Sequence, residues 1–297
     1  MKNLLIVLTI LSLTTLTFAD ELHVVTTYPY IANIVEQIGK EKVSVFALAK
    51  GEWDPHTIVP KPSFIGKLRK ADLLIMNGAQ LEIGWLPSLM HQANNPKIQV
   101  GTQGLLDLSK HVDLIDAQSS VSRAQGDIHP DGNPHFYLDF ENVNKIAIVI
   151  THKLSEIDPE NKSSYEKNNK FFLEKFDQKK KEWISKLGIL KGTKIIEYHK
   201  LFDYLIRRIG LDLVGTIEPL PGISPTSRHI EELEKLIPSN NVKIIFQDVF
   251  HSDDASTLLS KKYNLKLKIV PHDLGAVKNT DDIITFFDEI VRRLTND

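Results

Sequence analysis

The chain carries one α/β unit twice, and this duplication restricts the fold more than any other feature of the sequence. In the first half, the β-rich run Leu22-His23-Val24-Val25-Thr26-Thr27 is followed by a helical pattern from Pro29 to Ile38. A strand pattern over Lys42 to Leu48, a helix opened by Pro62-Ser63 and a buried strand over Asp72 to Met76 come next, ending at Asn77-Gly78. The second half repeats the order. Lys194 to Tyr198 reads as a strand, Leu201 to Ile209 as a helix closed by Gly210, and Leu211 to Ile217 as a strand. Pro225-Thr226 opens a helix through Leu236, and Val242 to Phe246 is again a buried strand. Thr27-Tyr28-Pro29-Tyr30 aligns with Tyr198-His199-Lys200-Leu201, and Pro62-Ser63 before Leu68 aligns with Pro225-Thr226 before Leu233. Alternating strands and helices imply an α/β protein whose mostly parallel sheets are flanked by helices.

A different composition separates the halves. Pro159 to Leu187 is polar and free of Gly and Pro after its first residue, with Tyr165, Phe172, Phe176, Trp183 and Leu187 spaced for one helical face. A helix of about 28 residues is ~42 Å long at 1.5 Å per residue, enough to act as a strut against both lobes. The expected organisation is a segment 1–19 ahead of the fold, an N-terminal lobe over 20–158, a linking helix over 159–188 and a C-terminal lobe over 189–297.

Segment 1–19 has the pattern of a secretory signal peptide: Lys2, an apolar run from Leu4 to Leu16, and Thr17-Phe18-Ala19 before Asp20. The apolar run, about 13 residues, is short of the ~20 needed to span a bilayer. With no cysteine, the chain can form no disulfide, no thiolate metal site and no lipidated cleavage site, which points to a mature protein diffusing in a periplasm. A formal net charge of −2 gives no basic excess for nucleic acid or a membrane surface.

Any metal must therefore be held by imidazole and carboxylate. Of eleven histidines, most read as surface or satisfied core. Three stand out. His56 lies in Trp53-Asp54-Pro55-His56, His135 in Asn133-Pro134-His135, and His199 at the end of the buried strand Ile195 to Tyr198. In the first two, proline stiffens the loop that presents the ring. Asp273, in Pro271-His272-Asp273 just past the strand Leu267 to Val270, is the fourth candidate. All four fall near strand ends, where α/β sheets bind ligands, and two come from each half.

These motifs, with Lys61-Pro62-Ser63, Leu68-Arg69-Lys70-Ala71-Asp72-Leu73-Leu74, Leu138-Asp139 and Asp158-Pro159-Glu160-Asn161, resemble the zinc and manganese solute-binding proteins of ABC importers (cluster A-I) over nearly the whole mature chain. The resemblance implies two lobes bridged by one long helix, a divalent metal in the cleft, and delivery to an ABC permease by a monomeric binding protein. It carries His56, His135, His199 and Asp273 over as ligands, with His272 an alternative to Asp273. Two departures stand out. A long His-rich loop is missing, leaving His129 as the sole histidine of the stretch from Asp116, and Gln247 stands where many relatives have Glu.

Three imidazoles and one carboxylate suit tetrahedral Zn²⁺ better than Mn²⁺ or Fe²⁺. A zinc-dependent hydrolase is the competing class, but four protein ligands leave no open position for water. If the imidazoles titrate near ~6.5, metal affinity should fall steeply between about pH 7 and 5, with a slope near three protons.

Overall fold

The computed structural model describes residues 21–117 and 129–296; the segment read as a signal peptide, and residues 118–128 of the loop before His129, lie outside the described residues. Both halves build the same sheet. β1 (Leu22–Thr26), β2 (Val43–Ala47), β3 (Leu73–Met76) and β4 (Leu105–Asp107) form an all-parallel sheet in the order β2-β1-β3-β4. β5 (Lys194–Glu197), β6 (Asp212–Thr216), β7 (Ile244–Gln247) and β8 (Lys266–Ile269) form a second in the order β6-β5-β7-β8. The duplication extends to single hydrogen bonds. Leu48 and Ala49 donate to the carbonyls of Thr26 and Thr27, as Ile217 and Glu218 do to Glu197 and Tyr198.

Local chemistry sets the helix boundaries. α1 (Pro29–Gly39) and α2 (Pro62–Lys70) start on prolines, whose fixed φ suits the first turn. α6 (Asp203–Ile209) stops at Gly210 with φ 78°. The Thr226 hydroxyl caps α7 (Ser227–Asn240) by accepting from the His229 amide. The structure also adds elements that the sequence pattern passed over: β4, α3 (Leu86–Ala93), α4 (Phe140–Ile157), α8 (Asp254–Tyr263) and α9 (Ile283–Thr295). The strand at Ile195 stops at Glu197, so His199 stands in the following turn and not at the strand's end.

The linking helix is α5 (Lys162–Leu187), entered through a 3₁₀ turn at Pro159–Asn161. Tyr165, Phe172, Phe176, Trp183 and Leu187 are all buried, as the spacing required. Through them α5 packs against α1, α4 and α9. Trp183 meets Phe140, Phe176 and Phe287, and its indole N–H donates to Asp288 Oδ1 at 2.8 Å. One apolar core thus runs from the first sheet through α5 and α9 to Ile195, while Ile196, on the opposite face of β5, belongs to a second core with Leu233, Ile237 and Leu259. Among the described residues, no helix is long and apolar enough to cross a membrane.

Residues 272–275, after β8, return to the first lobe. His272 Nε2 donates to the Trp53 carbonyl at 3.0 Å, and Gly51 sits so close that a Cβ there would fall 1.7 Å from the Leu274 carbonyl oxygen. Because Trp183 joins α4, α5 and α9, Trp183→Ala should cost about 3–5 kcal/mol and lower the denaturant midpoint of the whole chain in one transition, measurable by tryptophan fluorescence and circular dichroism.

Candidate metal centre

Every group that converges on the cleft leaves from the carboxyl end of a strand or from the loop ahead of α4. His56 lies in the loop after β2, where Asp54 Oδ1 accepts from the His56 amide at 2.9 Å and meets its Nδ1 at 3.0 Å. The proline between them forces the carboxylate and ring side by side. Burial works to raise the Asp54 pKa, but its bonds to His56 and Thr57 outweigh it and hold the carboxyl well below the usual range.

His135 is positioned by both lobes. Asn133 Oδ1 accepts from the His135 amide at 2.9 Å, and Asn133 Nδ2 donates to the Lys200 carbonyl at 2.9 Å and to Asp203 at 3.0 Å. From the first lobe, Asn77 Nδ2 donates to the Pro134 carbonyl at 3.1 Å. His199 is fixed by Glu218, whose Oε2 meets Nδ1 at 2.7 Å with both groups 4% exposed.

These elements bring together three of the four candidates. His56, His135 and His199 each offer a ring nitrogen, and the three lie within 4.8 Å of one another. Because carboxylates occupy Nδ1 of His56 and His199, both turn Nε2 inward as a lone pair, the arrangement in which an outer partner fixes the tautomer of a metal-binding imidazole. His56 Nε2 and His135 Nδ1 are buried without a hydrogen-bond partner. Burial, and then the neighbouring rings, push the His135 pKa well below its ordinary value; burial also lowers that of His199, against the bond to Glu218. Three imidazoles facing each other with unpartnered nitrogens are chemically suited to hold a cation. The adjoining cavity, about 150 Å³ and lined by His129, His135, His199 and Glu218, is small for an organic substrate.

The fourth candidate stands apart. Asp273 is buried, yet no oxygen of its carboxylate belongs to the 4.8 Å group. Its Oδ1 accepts from the Tyr30 amide at 3.0 Å and the Leu274 amide at 2.7 Å. Tyr30 lies in the first turn of α1, whose own N-cap residue makes no side-chain cap, so Asp273 caps that helix from the other end of the chain. Burial pushes its pKa up to about 8, against those two bonds. His272, the alternative, spends Nε2 on Trp53 and, with Nδ1 unpartnered, also lies outside the 4.8 Å group.

Four residues around the cleft carry little or no signal in the sequence. Asp54 had a local signal, two residues ahead of a histidine with proline between. Glu218 and Asp248 had none. His251, which no motif marks, has Nδ1 at 2.9 Å from Asp248 and Nε2 at 3.3 Å from Glu218, and its ring lies 5.6 Å from that of His199. Gln247 is explained by the same loop: its amide nitrogen donates to the His251 carbonyl and its oxygen accepts from Ser256.

Two sheet lobes enclosing a cluster of imidazoles that could hold a metal define a cleft-type solute-binding protein. The family model described as zinc-uptake complex component A, periplasmic, matches residues 24–296, and the chain belongs to that family. It is thus a substrate-binding component of a metal ABC importer, which binds a divalent ion and delivers it to a permease, and not an enzyme. The high-affinity zinc uptake system protein ZnuA of Bacillus subtilis is 29% identical, covering 89% of this chain and 82% of that protein. The manganese ABC transporter substrate-binding lipoprotein PsaA of Streptococcus mitis is 27% identical over 84% of this chain and 79% of its own. A crystal structure of ZnuA matches the fold with a TM-score of 0.78 at 23% identity, covering 93% of this chain and 99% of that one. The manganese-bound periplasmic metal binding protein of candidatus liberibacter asiaticus matches at 0.76 and 19% identity, covering 92% and 97%.

Asp273 gives a test of this geometry without metal. Its folded pKa of about 8 lies above the unfolded ~3.9, so the folded chain holds a proton that the unfolded chain has lost between those values. Wild-type stability therefore drains away as pH rises from about 4 to 8, relative to Asp273→Asn, which can still cap α1. The melting temperature of the metal-free Asn variant, compared with wild type by calorimetry, should gain steadily over that range and level off above it.

Proposed function

We propose that the cleft captures zinc, held by His56, His135 and His199, with Asp273 supplying the carboxylate of the site through Oδ2. The observation that carries this reading is the three ring nitrogens within 4.8 Å of one another. Imidazole-rich donor sets favour Zn²⁺, whereas Mn²⁺ prefers oxygen, so the manganese named in some relatives is the weaker ligand here. The lobes correspond to residues 20–158 and 189–297, with 159–188 between them. All donors come from one chain, so a monomer suffices. The protein works free in the periplasm after export directed by residues 1–19. Zinc should bind in calorimetric titration with one ion per chain, and His135→Ala should weaken it about 100-fold or more; equal affinity in the variant would sink the assignment.

Burial revises the pH dependence expected from unperturbed histidines. His135 and His199 are already neutral below their ordinary pKa, so zinc has few imidazole protons to displace near neutrality. Asp273, still protonated below about 8, must lose its proton when the ion arrives. Zinc binding at pH 7 should therefore release about one proton, not three, so that affinity falls about tenfold per pH unit from 8 down to 6 and not about a thousandfold. Calorimetry in buffers of different ionisation enthalpy measures the count; a release near three would mean that the imidazoles are charged in the metal-free cleft.

A further inference from the structure

The histidines around the cleft divide by what their ring nitrogens already do. His251 has both occupied, by Asp248 and Glu218. His272 spends Nε2 on the Trp53 carbonyl; its Nδ1 has no partner, but its ring lies against Phe250 at 4.7 Å and outside the group of three. Neither has the inward Nε2 lone pair that His56 and His199 present.

His129 has it. Its Nε2 is buried and has no hydrogen-bond partner. A hydrogen bond to the backbone of Ala79 holds the ring from outside, doing for His129 what Asp54 and Glu218 do for His56 and His199. The ring centroid lies 5.4 Å from that of His56, about as near as those of His135 and His199 at 5.3 and 5.1 Å. With His135 and His199 it lines the cavity, which Asp273 does not. A buried imidazole with its outer nitrogen secured and its inner one empty is unsatisfied until something electron-poor arrives.

Resting on the reading of this cleft as the ion's site, we propose that His129 is a further donor to the same ion, making the site one of four imidazoles and the Asp273 carboxylate. His129 lies outside the 4.8 Å group, so its ring advances when the ion binds. Four nitrogens sharpen the preference for zinc over manganese beyond what three and a carboxylate would give.

The test counts imidazoles directly. In full-length mature protein with ¹⁵N-labelled histidine, long-range ¹H–¹⁵N spectra are recorded with and without one equivalent of zinc at neutral pH. Four imidazole nitrogens should change shift on zinc binding, and the fourth should vanish in His129→Gln. Should that variant not fold, cross-relaxation with Ala79 identifies the same resonance in the wild type. Competition with a chromophoric chelator should show zinc bound about tenfold or more weakly by His129→Gln, with a narrower gap to manganese. Three shifting resonances, or a fourth that proves to be another histidine, overturn the proposal, as does unchanged affinity in the variant. In those cases a loss of zinc in His135→Ala leaves the cleft reading standing. No shifting imidazole at all overturns both.

Discussion

Buried imidazoles facing one another across the cleft set the terms for the rest of the molecule. A ring nitrogen shut away from water without a partner costs on the order of 1–3 kcal/mol, and here several are gathered in one place. The fold sustains this by fixing the outer face of each ring. Asp54 and Glu218 hold Nδ1 of His56 and His199, while Asn133 and Asn77 clamp the backbone that carries His135. The rings cannot rotate away to find water, so the unsatisfied nitrogens remain directed at one point. In the function proposed above, a divalent cation satisfies them together.

Holding that geometry demands that the two lobes keep their relation, and the structure ties them at several levels. α5 and α9 share one apolar core with the first sheet, built around Trp183 and Phe287. Above it, the segment after β8 folds back so that Asp273 caps α1 and His272 meets Trp53. The loop at Asn133 touches both lobes. Asp273 thus sits buried at the junction of the lobes with Oδ1 committed to the cap of α1.

The duplication helps explain how such a site can arise. Both sheets have the same strand order, and their second strands run on into loops held by equivalent backbone bonds. Parallel strands direct their carboxyl ends to one side, so two facing copies set their variable loops against each other. The copies then diverged in what they place there. The loop after β2 brings His56 and its Asp54, whereas the loop after β6 brings Glu218, which acts through His199.

By itself the sequence determined the architecture and picked out three histidines that the fold brings together. Strand and helix periods, repeated in order, specify two parallel-sheet lobes, and the apolar spacing from Tyr165 to Leu187 specifies the helix between them. Both are properties of neighbouring residues, which periodicity records. His56 and His135 were legible because proline stiffens their loops, and His199 because it follows a buried strand; with no cysteine in the chain, they were the natural metal donors. Only the tertiary structure decided what surrounds them. Asp273 meets the amide of Tyr30 across 243 residues, Glu218 reaches His199 across 19, and His129 comes to His56 from a different loop, none of it encoded in local pattern. The protonation of the site was likewise beyond the sequence. A pKa follows from burial and from the charges packed around a group, and those exist only once the lobes have closed on each other.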